Sequence, residues 1–406
     1  MKIVAVLPHF APDVAPTGTI WTRIVEELAE RGHHIDVVTA LPWYRTHQIE
    51  SGYEGRLVRR EDTPWGSITR VHPFPVADKT NILRRALGFG GFSTLAATVG
   101  LRGHRSDIVV AISPPLTLGL TGAAIARARR ARFVFNIQDV FPDVAIELGH
   151  LSNPSVISAA RWLERRCYAL ADAVTVLSED LHENVAAKVA DAGKVHTIPN
   201  FVDSETIRPG DRNNGYRREF GLGDKIVVMY AGNVGMSQSL DALIDAASAL
   251  AHDDRIAFVI NGQGAQRSSL ERRAQGLANV TFVDMQPLDR LPEVLAAADL
   301  HVIPLKKGLA SSSFPSKLYS ILASGRPVVA SVDEGSDIAT VVERSGAGVA
   351  VAPDDPESLT KAIDRLTREP AELQRMGESG RRFIENHASP AAIAARYEEL
   401  FESLLV

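Results

Sequence analysis

The chain has 406 residues, with 45% hydrophobic and 23% charged, which suits two folded domains with real cores. A net charge of −5 excludes a general nucleic-acid binder. The single cysteine, Cys167, excludes an internal disulfide, fits a reducing compartment and leaves no Cys/His cluster with zinc spacing.

From the N-terminus, Ile3–Leu7 is an apolar run stopped by Pro8, which reads as a first strand and is too short for a leader peptide. Short apolar runs then alternate with helical patterns to the end of the chain, the signature of βαβ units. In the first half, strands are expected at 3–7, 35–39, 68–72, 107–112, 133–138, 173–177 and 195–198. In the second they are expected at 226–231, 256–261, 280–283, 300–304, 328–331 and 348–351. The fold class is α/β: two doubly wound, Rossmann-like parallel-sheet domains facing a cleft. The expected boundaries are 1–203 for the first domain, 204–224 for a linker rich in Gly, Pro, Asn and charge, and 225–389 for the second domain. The last segment, 390–406, is a helix with Ile393, Tyr397, Leu400, Phe401, Leu404 and Leu405 apolar, expected to pack back across the hinge.

Ligands of open α/β sheets bind beyond the carboxyl ends of the strands, so the loops there are the candidates. The first loop, Pro8 to Thr19, is long for a βα connection and holds His9 and Asp13. It ends in Thr17-Gly18 at a helix start, where Gly18 permits close approach of a ligand to the backbone; the alternative is a Pro-rich surface turn. It matches neither the dinucleotide nor the Walker pattern. Ser113 opens a second such turn. Asp139, in Gln138-Asp139-Val140-Phe141-Pro142-Asp143, is a carboxylate at a strand end that can take a proton, hold a sugar hydroxyl or cap a helix, and Glu147 lies nearby. Asn200 either touches ligand or braces the hinge.

The loop from Gly232 through Asn233, Gly235 and Gln238 offers two glycines, two amides and little charge at a helix start, an oxyanion cradle. Backbone groups at Gly262, Met285 and Gln286 are placed to read a nucleotide base. The stretch Ser311 to Ser320 runs from loop into helix with Lys317 in the first turn. A cation there is unfavourable unless an anion neutralises it, so the stretch reads as a phosphate site or as a helix start with a solvated lysine.

The segment Lys79 to Arg105 interleaves Lys79, Arg84, Arg85, Arg102, His104 and Arg105 with Ile82, Leu83, Leu87, Phe89, Phe92, Leu95 and Val99. That mix suits a helix lying on an anionic membrane, or an ordinary helix with a solvated Arg edge. No stretch is long enough to span a bilayer.

The chain resembles the retaining glycosyltransferases of family four, of the GT-B fold. Within them it is similar to the bacterial N-acetylfucosamine, colanic-acid and O-antigen polysaccharide transferases. The resemblance covers nearly the whole chain. It is carried by Phe10 to Gly18, Arg31-Gly32-His33, Gln138 to Asp143, Ile198 to Asp203, Gly232-Asn233-Val234-Gly235, Pro315-Ser316-Lys317-Leu318-Tyr319 and Gly325-Arg326-Pro327. It implies a nucleotide-sugar donor, UDP-linked and an N-acetylamino sugar, on the second domain. It also implies a polyprenyl-diphosphate-linked saccharide acceptor on the first, and retention of configuration without metal or other cofactor. The setting is capsule, O-antigen or exopolysaccharide synthesis, with the protein cytoplasmic and peripheral on the inner membrane face.

On that resemblance the residues divide by role. Asp139 and Lys317 are catalytic. Thr17, Gly18, Asn233, Gly235, Gln238, Ser316 and Lys317 hold the donor diphosphate. Ser312, Ser313, Phe314 and Ser320 meet the donor sugar and ribose, and Gly262, Met285 and Gln286 the base. His9, Asp13, Ser113 and Asn200 face the acceptor. Two departures stand out. The family's paired glutamates are replaced by Ser312 and Ser320, and its Arg and Lys diphosphate clamp by Asn233 and Gln238. Lys317 is the nearest cation left for the diphosphate. The rival readings are an epimerase or hydrolase of the same fold, and a non-catalytic nucleotide-sugar-binding subunit.

Overall fold

Strands covered on both faces need apolar residues at consecutive positions, and the runs above pair accordingly in the computed structural model of the chain. The structure describes every residue other than 46–47, 76–81, 148–150, 236 and 309–315, and the side chains other than those of 82–86, 147 and 316. Ser312, Ser313 and Phe314, and the start of the basic segment, lie outside the described residues.

Two units emerge, Met1–Asn200 with Ile393–Val406, and Phe201–Ala392. The first contains β1 (Lys2–Val6), α1 (Pro16–Glu30), β2 (His34–Ala40), β3 (Val58–Thr63), β4 (Gly66–Val71), α2 (Ile82–Gly100), β5 (Ile108–Ser113), α3 (Leu118–Arg129), β6 (Arg132–Ile137), α4 (Asp143–Glu147), α5 (Pro154–Leu170), β7 (Ala173–Val176), α6 (Glu179–Ala186) and β8 (Val195–Thr197). The second contains α7 (Gly215–Glu219), β9 (Ile226–Ala231), α8 (Leu240–Ala249), β10 (Ile256–Asn261), α9 (Arg267–Arg273), β11 (Val280–Val283), α10 (Leu291–Ala297), β12 (Leu300–Pro304), α11 (Ser316–Ala323), β13 (Val328–Ser331), α12 (Asp337–Ser345), β14 (Gly348–Val351), α13 (Pro356–Thr367) and α14 (Pro370–His387). The last helix, α15 (Pro390–Ser403), returns the chain to the first unit.

The first sheet has the order β3-β4-β2-β1-β5-β6-β7-β8 and the second β11-β10-β9-β12-β13-β14. Strand order reverses at β1/β5 in one and at β9/β12 in the other, the positions at which such sheets open a crevice. The second sheet is parallel throughout. The first carries an unexpected antiparallel edge strand, β3, paired to β4 from Val58↔Val71 to Thr63↔Gly66. Its sequence, Val-Arg-Arg-Glu-Asp-Thr, shows no apolar alternation because it is an exposed edge, held by the tight turn before Gly66 and protected by charge from further pairing.

The helix α15 is tied in by packing and polar contacts. Ile393, Ala394, Tyr397, Leu400 and Phe401 are buried, whereas Leu405 lies beyond the helix end and is exposed. The Tyr397 ring lies 5.0 Å from that of Trp21. Its hydroxyl accepts from Asn136 Nδ2 at 3.0 Å, and Glu398 pairs with Arg31 at 2.9 Å and His33 at 2.7 Å.

Candidate functional site

In the first unit, β1 runs straight into the His9–Asp13 loop. His9 Nδ1 meets Asp13 Oδ2 at 2.7 Å, and Asp13, buried, also accepts from the Tyr44 backbone N–H at 3.1 Å. The His9 ring stacks 5.6 Å from Trp43 and meets Tyr44 edge-on. Thr17 and Gly18 sit in the first turn of α1; a Cβ on Gly18 would lie 2.7 Å from His9 Cβ, so this glycine is required by the loop folding back on the helix. Ser113, at the end of β5, is buried, with its hydroxyl unpartnered among the described residues.

Asp139 follows β6, outside any helix cap, since α4 begins at Asp143. Its carboxyl keeps an exposed edge, makes no ion pair or hydrogen bond among the described residues, and is pushed above the usual carboxylate pKa by the protein crowded around it. A polar chain fixes the strand end beneath it. Gln138 Nε2 donates to Asn136 Oδ1 at 2.6 Å, and Asn200 Nδ2 donates to Gln138 Oε1 at 2.9 Å. Asn200 therefore spends its amide on bracing Gln138.

In the second unit, a cavity of about 240 Å³ opens at the carboxyl ends of β9 and β10. Lys317, Ser320, Met285 and Gln286 line it together, with Gly232 and Asn261 at its floor. Leu291, Val294, Leu295 and Ile321 supply an apolar wall that the sequence analysis did not single out. Glycine is required at Gly262, which has φ +157° and whose Cβ would collide with the Gly232 carbonyl. The Gln286 amide accepts from Arg290 Nη1 at 2.7 Å and donates to the Asp284 carbonyl at 3.0 Å. The Gly232–Gln238 loop is self-closed, with Gln238 Oε1 accepting from the Gly235 N–H at 3.0 Å and Asn233 left exposed.

Lys317 is the centre of this cavity. Its Nζ donates to the Tyr230 hydroxyl at 3.0 Å and lies 4.8 Å over the Tyr230 ring. It also occupies the space that a Cβ on Gly232 would take. No carboxylate pairs with it among the described residues, and burial lowers its pKa from the ordinary lysine value. An ammonium partly removed from water, with only a phenol and a ring beside it among the described residues, can hold an anion. Tyr230 escaped sequence reading; its one signal was a phenol near the end of an otherwise apolar strand. No group of three or more His, Cys, Asp or Glu that would hold a metal occurs among the described residues. No described helix is long and apolar enough to cross a membrane.

Comparison with known proteins extends this picture. Residues 17–200 match the family described as Glycosyl transferase 4-like domain, and residues 225–369 match Glycosyl transferases group 1. WcaI of Escherichia coli K12, which carries the name of a colanic acid biosynthesis glycosyl transferase, is 30% identical over 377 residues, covering 89% of this chain and 91% of WcaI. Sucrose-phosphate synthase from Thermosynechococcus elongatus superimposes with a TM-score of 0.68 at 18% identity, covering 100% of this chain and 99% of that one. Anabaena HepE in complex with UDP gives 0.65 at 15% identity, with coverage of 99% and 100%. Identities this low carry the fold alone.

Proposed function

The chain belongs to the group 1 glycosyltransferases, enzymes of the GT-B fold, and from that membership we propose that it moves an N-acetylamino sugar from UDP to a saccharide carried on a polyprenyl diphosphate. The setting we propose is polysaccharide assembly at the inner face of the cell membrane, with the segment 79–105 on the lipid surface. The naming of WcaI for colanic acid synthesis and the UDP held by HepE support the polymer and the nucleotide respectively.

The observation that carries the reading is the half-buried Lys317 in the cavity of the second unit, without a carboxylate partner among the described residues. As the glycosidic bond breaks, C1 leaves the donor diphosphate oxygen and negative charge grows there. A cation waiting without a carboxylate of its own stabilises that charge more than it stabilises the ground state. The acceptor hydroxyl forms the new bond to C1 and its proton passes to the departing diphosphate, on the same face of the sugar. Configuration is thereby retained, with no metal and no protein nucleophile. Asp139 orients a sugar hydroxyl in this scheme. Its raised pKa reflects a carboxylate poorly served by its own protein and therefore open to a donor from substrate. Main-chain N–H groups at the start of α11 add to the charge of Lys317.

The test is a panel of nucleotide sugars assayed with polyprenyl-diphosphate-linked saccharides, on wild type and on Lys317→Ala. Transfer by wild type with a loss of about a hundredfold in the variant, ~2.7 kcal/mol of transition-state stabilisation, is the expected result. Transfer undiminished in the variant keeps the enzyme and discards Lys317. Tight UDP binding without transfer or hydrolysis on any pair turns the reading toward a non-catalytic subunit.

A further inference from the structure

We propose that an aromatic cavity in the first unit binds the isoprenoid chain of the acceptor, next to its diphosphate. This rests on the lipid-linked acceptor of the reading above and says where on the protein that lipid lies. The cavity, about 310 Å³, is enclosed by the loops after β1, β2, β4 and β5 and by α2. Its walls are Trp43, Tyr44, Phe74, Phe89 and Phe92 together with a set of prolines, and no Asp, Glu, Lys or Arg lines it among the described residues. A saccharide brings a hydroxyl on nearly every carbon and would leave most of them unsatisfied against such walls. A branched, unsaturated hydrocarbon gains from every one of them. The volume is at the small end of the roughly 300–1,000 Å³ of ligand pockets, which suits a short stretch of a chain whose remainder stays in the membrane.

Three further observations fit this occupant. Phe74 holds a left-handed backbone, φ +50°, rare for an aromatic residue, and its ring lies where a Cβ on Gly91 would come within 2.9 Å. A strained phenylalanine kept half in solvent at a cavity rim is retained for what its ring touches. Leu87, 68% exposed, precedes the lining Gly88 and continues the apolar surface outward along α2. His9 also lines the cavity beside Trp43, one nitrogen held by Asp13 and the other unpartnered among the described residues, a polar group fit to donate to the diphosphate end.

The experiment measures binding of a fluorescent fifteen-carbon isoprenyl diphosphate to the full chain by anisotropy, without donor. Variants are Phe89→Ala and Phe89→Leu, with circular dichroism as the check on folding. We expect binding at least about tenfold weaker in Phe89→Ala and close to wild type in Phe89→Leu, which restores apolar bulk. Neither inorganic diphosphate nor phosphatidylglycerol vesicles free of isoprenoid should displace the probe. Equal affinity in all three proteins overturns the proposal, as does displacement by inorganic diphosphate. Displacement by vesicles assigns the cavity to bulk acyl chains instead. Failure of the wider reading looks different: probe binding that depends on Phe89, with no transfer to any lipid-linked acceptor, keeps the cavity and discards the reaction. Transfer indifferent to an isoprenyl or a methyl aglycone, with no probe binding, does the reverse.

Discussion

The two units surround a buried amine differently. In the first, buried cations and imidazoles are paired with carboxylates: His9 with Asp13, His33 with Glu398, and Lys188 with Asp143 and Glu164 at 2.6 and 2.7 Å. In the second, Arg217 is paired with Asp299 at 2.6 Å, but Lys317 has, among the described residues, only the Tyr230 phenol and ring. His301, fully buried in β12, meets the Leu295 carbonyl at 3.1 Å, and its Nδ1 is unpartnered among the described residues. The first unit matches these groups with carboxylates and leaves an aromatic cavity. The second leaves the Lys317 ammonium without a carboxylate among the described residues, an arrangement that a bound anion would complete.

The largest expected effect follows from that bare cation and has two signs. Lys317→Ala should lose about a hundredfold in kcat/KM, as above, yet melt at a higher temperature than wild type, because an uncompensated buried ammonium costs the folded state. Calorimetry beside kinetics checks it; a lower Tm would mean that the lysine is paired after all. The pH dependence has a definite direction. Burial puts the folded pKa of Lys317 below its unfolded value, so the unfolded chain binds more protons between the two, and the associated cost is relieved as pH rises through that window.

Acid should separate the units. Burial lowers His301 to about 4 from 6.5, so the unfolded state takes up the proton first and stability is lost as pH falls between those values. The loss is on the order of 3 kcal/mol. In the first unit, burial acts to raise the Glu398 carboxyl, but hydrogen bonds and charge from His33 and Arg31 outweigh it and hold the pKa low. That contribution is present above the ordinary glutamate value of 4.5 and is lost only on acidification below it. His72 and His196 of the first unit are also lowered by partial burial, but His301 is lowered furthest, so scanning calorimetry from pH 7 to 5 should lower the transition of the second unit more than that of the first, and the His301 ring should stay neutral by NMR down to about 4. Simultaneous loss would break the comparison.

Smaller effects test individual contacts. Tyr230→Phe keeps the ring under Lys317 and removes the hydroxyl, so kcat/KM should fall roughly tenfold, about the 1.5–3 kcal/mol of a hydrogen bond to a charged group or slightly less. Tyr397→Phe leaves Asn136 Nδ2 with Thr175 alone at 2.9 Å and should cost about 1 kcal/mol in urea unfolding, with kinetics unchanged.

The periodicity of apolar runs was legible from end to end, because a strand covered on both faces has no choice of residue type; β12 and β13 stand where the sequence places them. The charged edge strand β3 was not legible, since its pairing is set by β4 and a turn rather than by burial. Among the candidate site residues, Lys317, Ser320, Met285 and Gln286 lie along one cavity. Asn200 turns its amide to Gln138, and Gln238 turns its own to Gly235. A side chain's type and loop position do not say where its hydrogen bonds go when a backbone N–H or a second amide is within reach.

By itself, then, the sequence determined an α/β chain with its polar loops at strand ends, and that Lys317 opens a helix. Those properties are local, written in periods of two and 3.6 residues and in turn residues. Tertiary structure alone decided that Tyr230, 87 residues away, would be the partner of that lysine and that no described carboxylate would be. It also decided that Trp43, Phe74 and Phe89, from two loops and a helix of the first unit, would line one cavity. Such properties depend on which distant surfaces the sheet order brings together, and a missing partner is defined only once every neighbour has been placed.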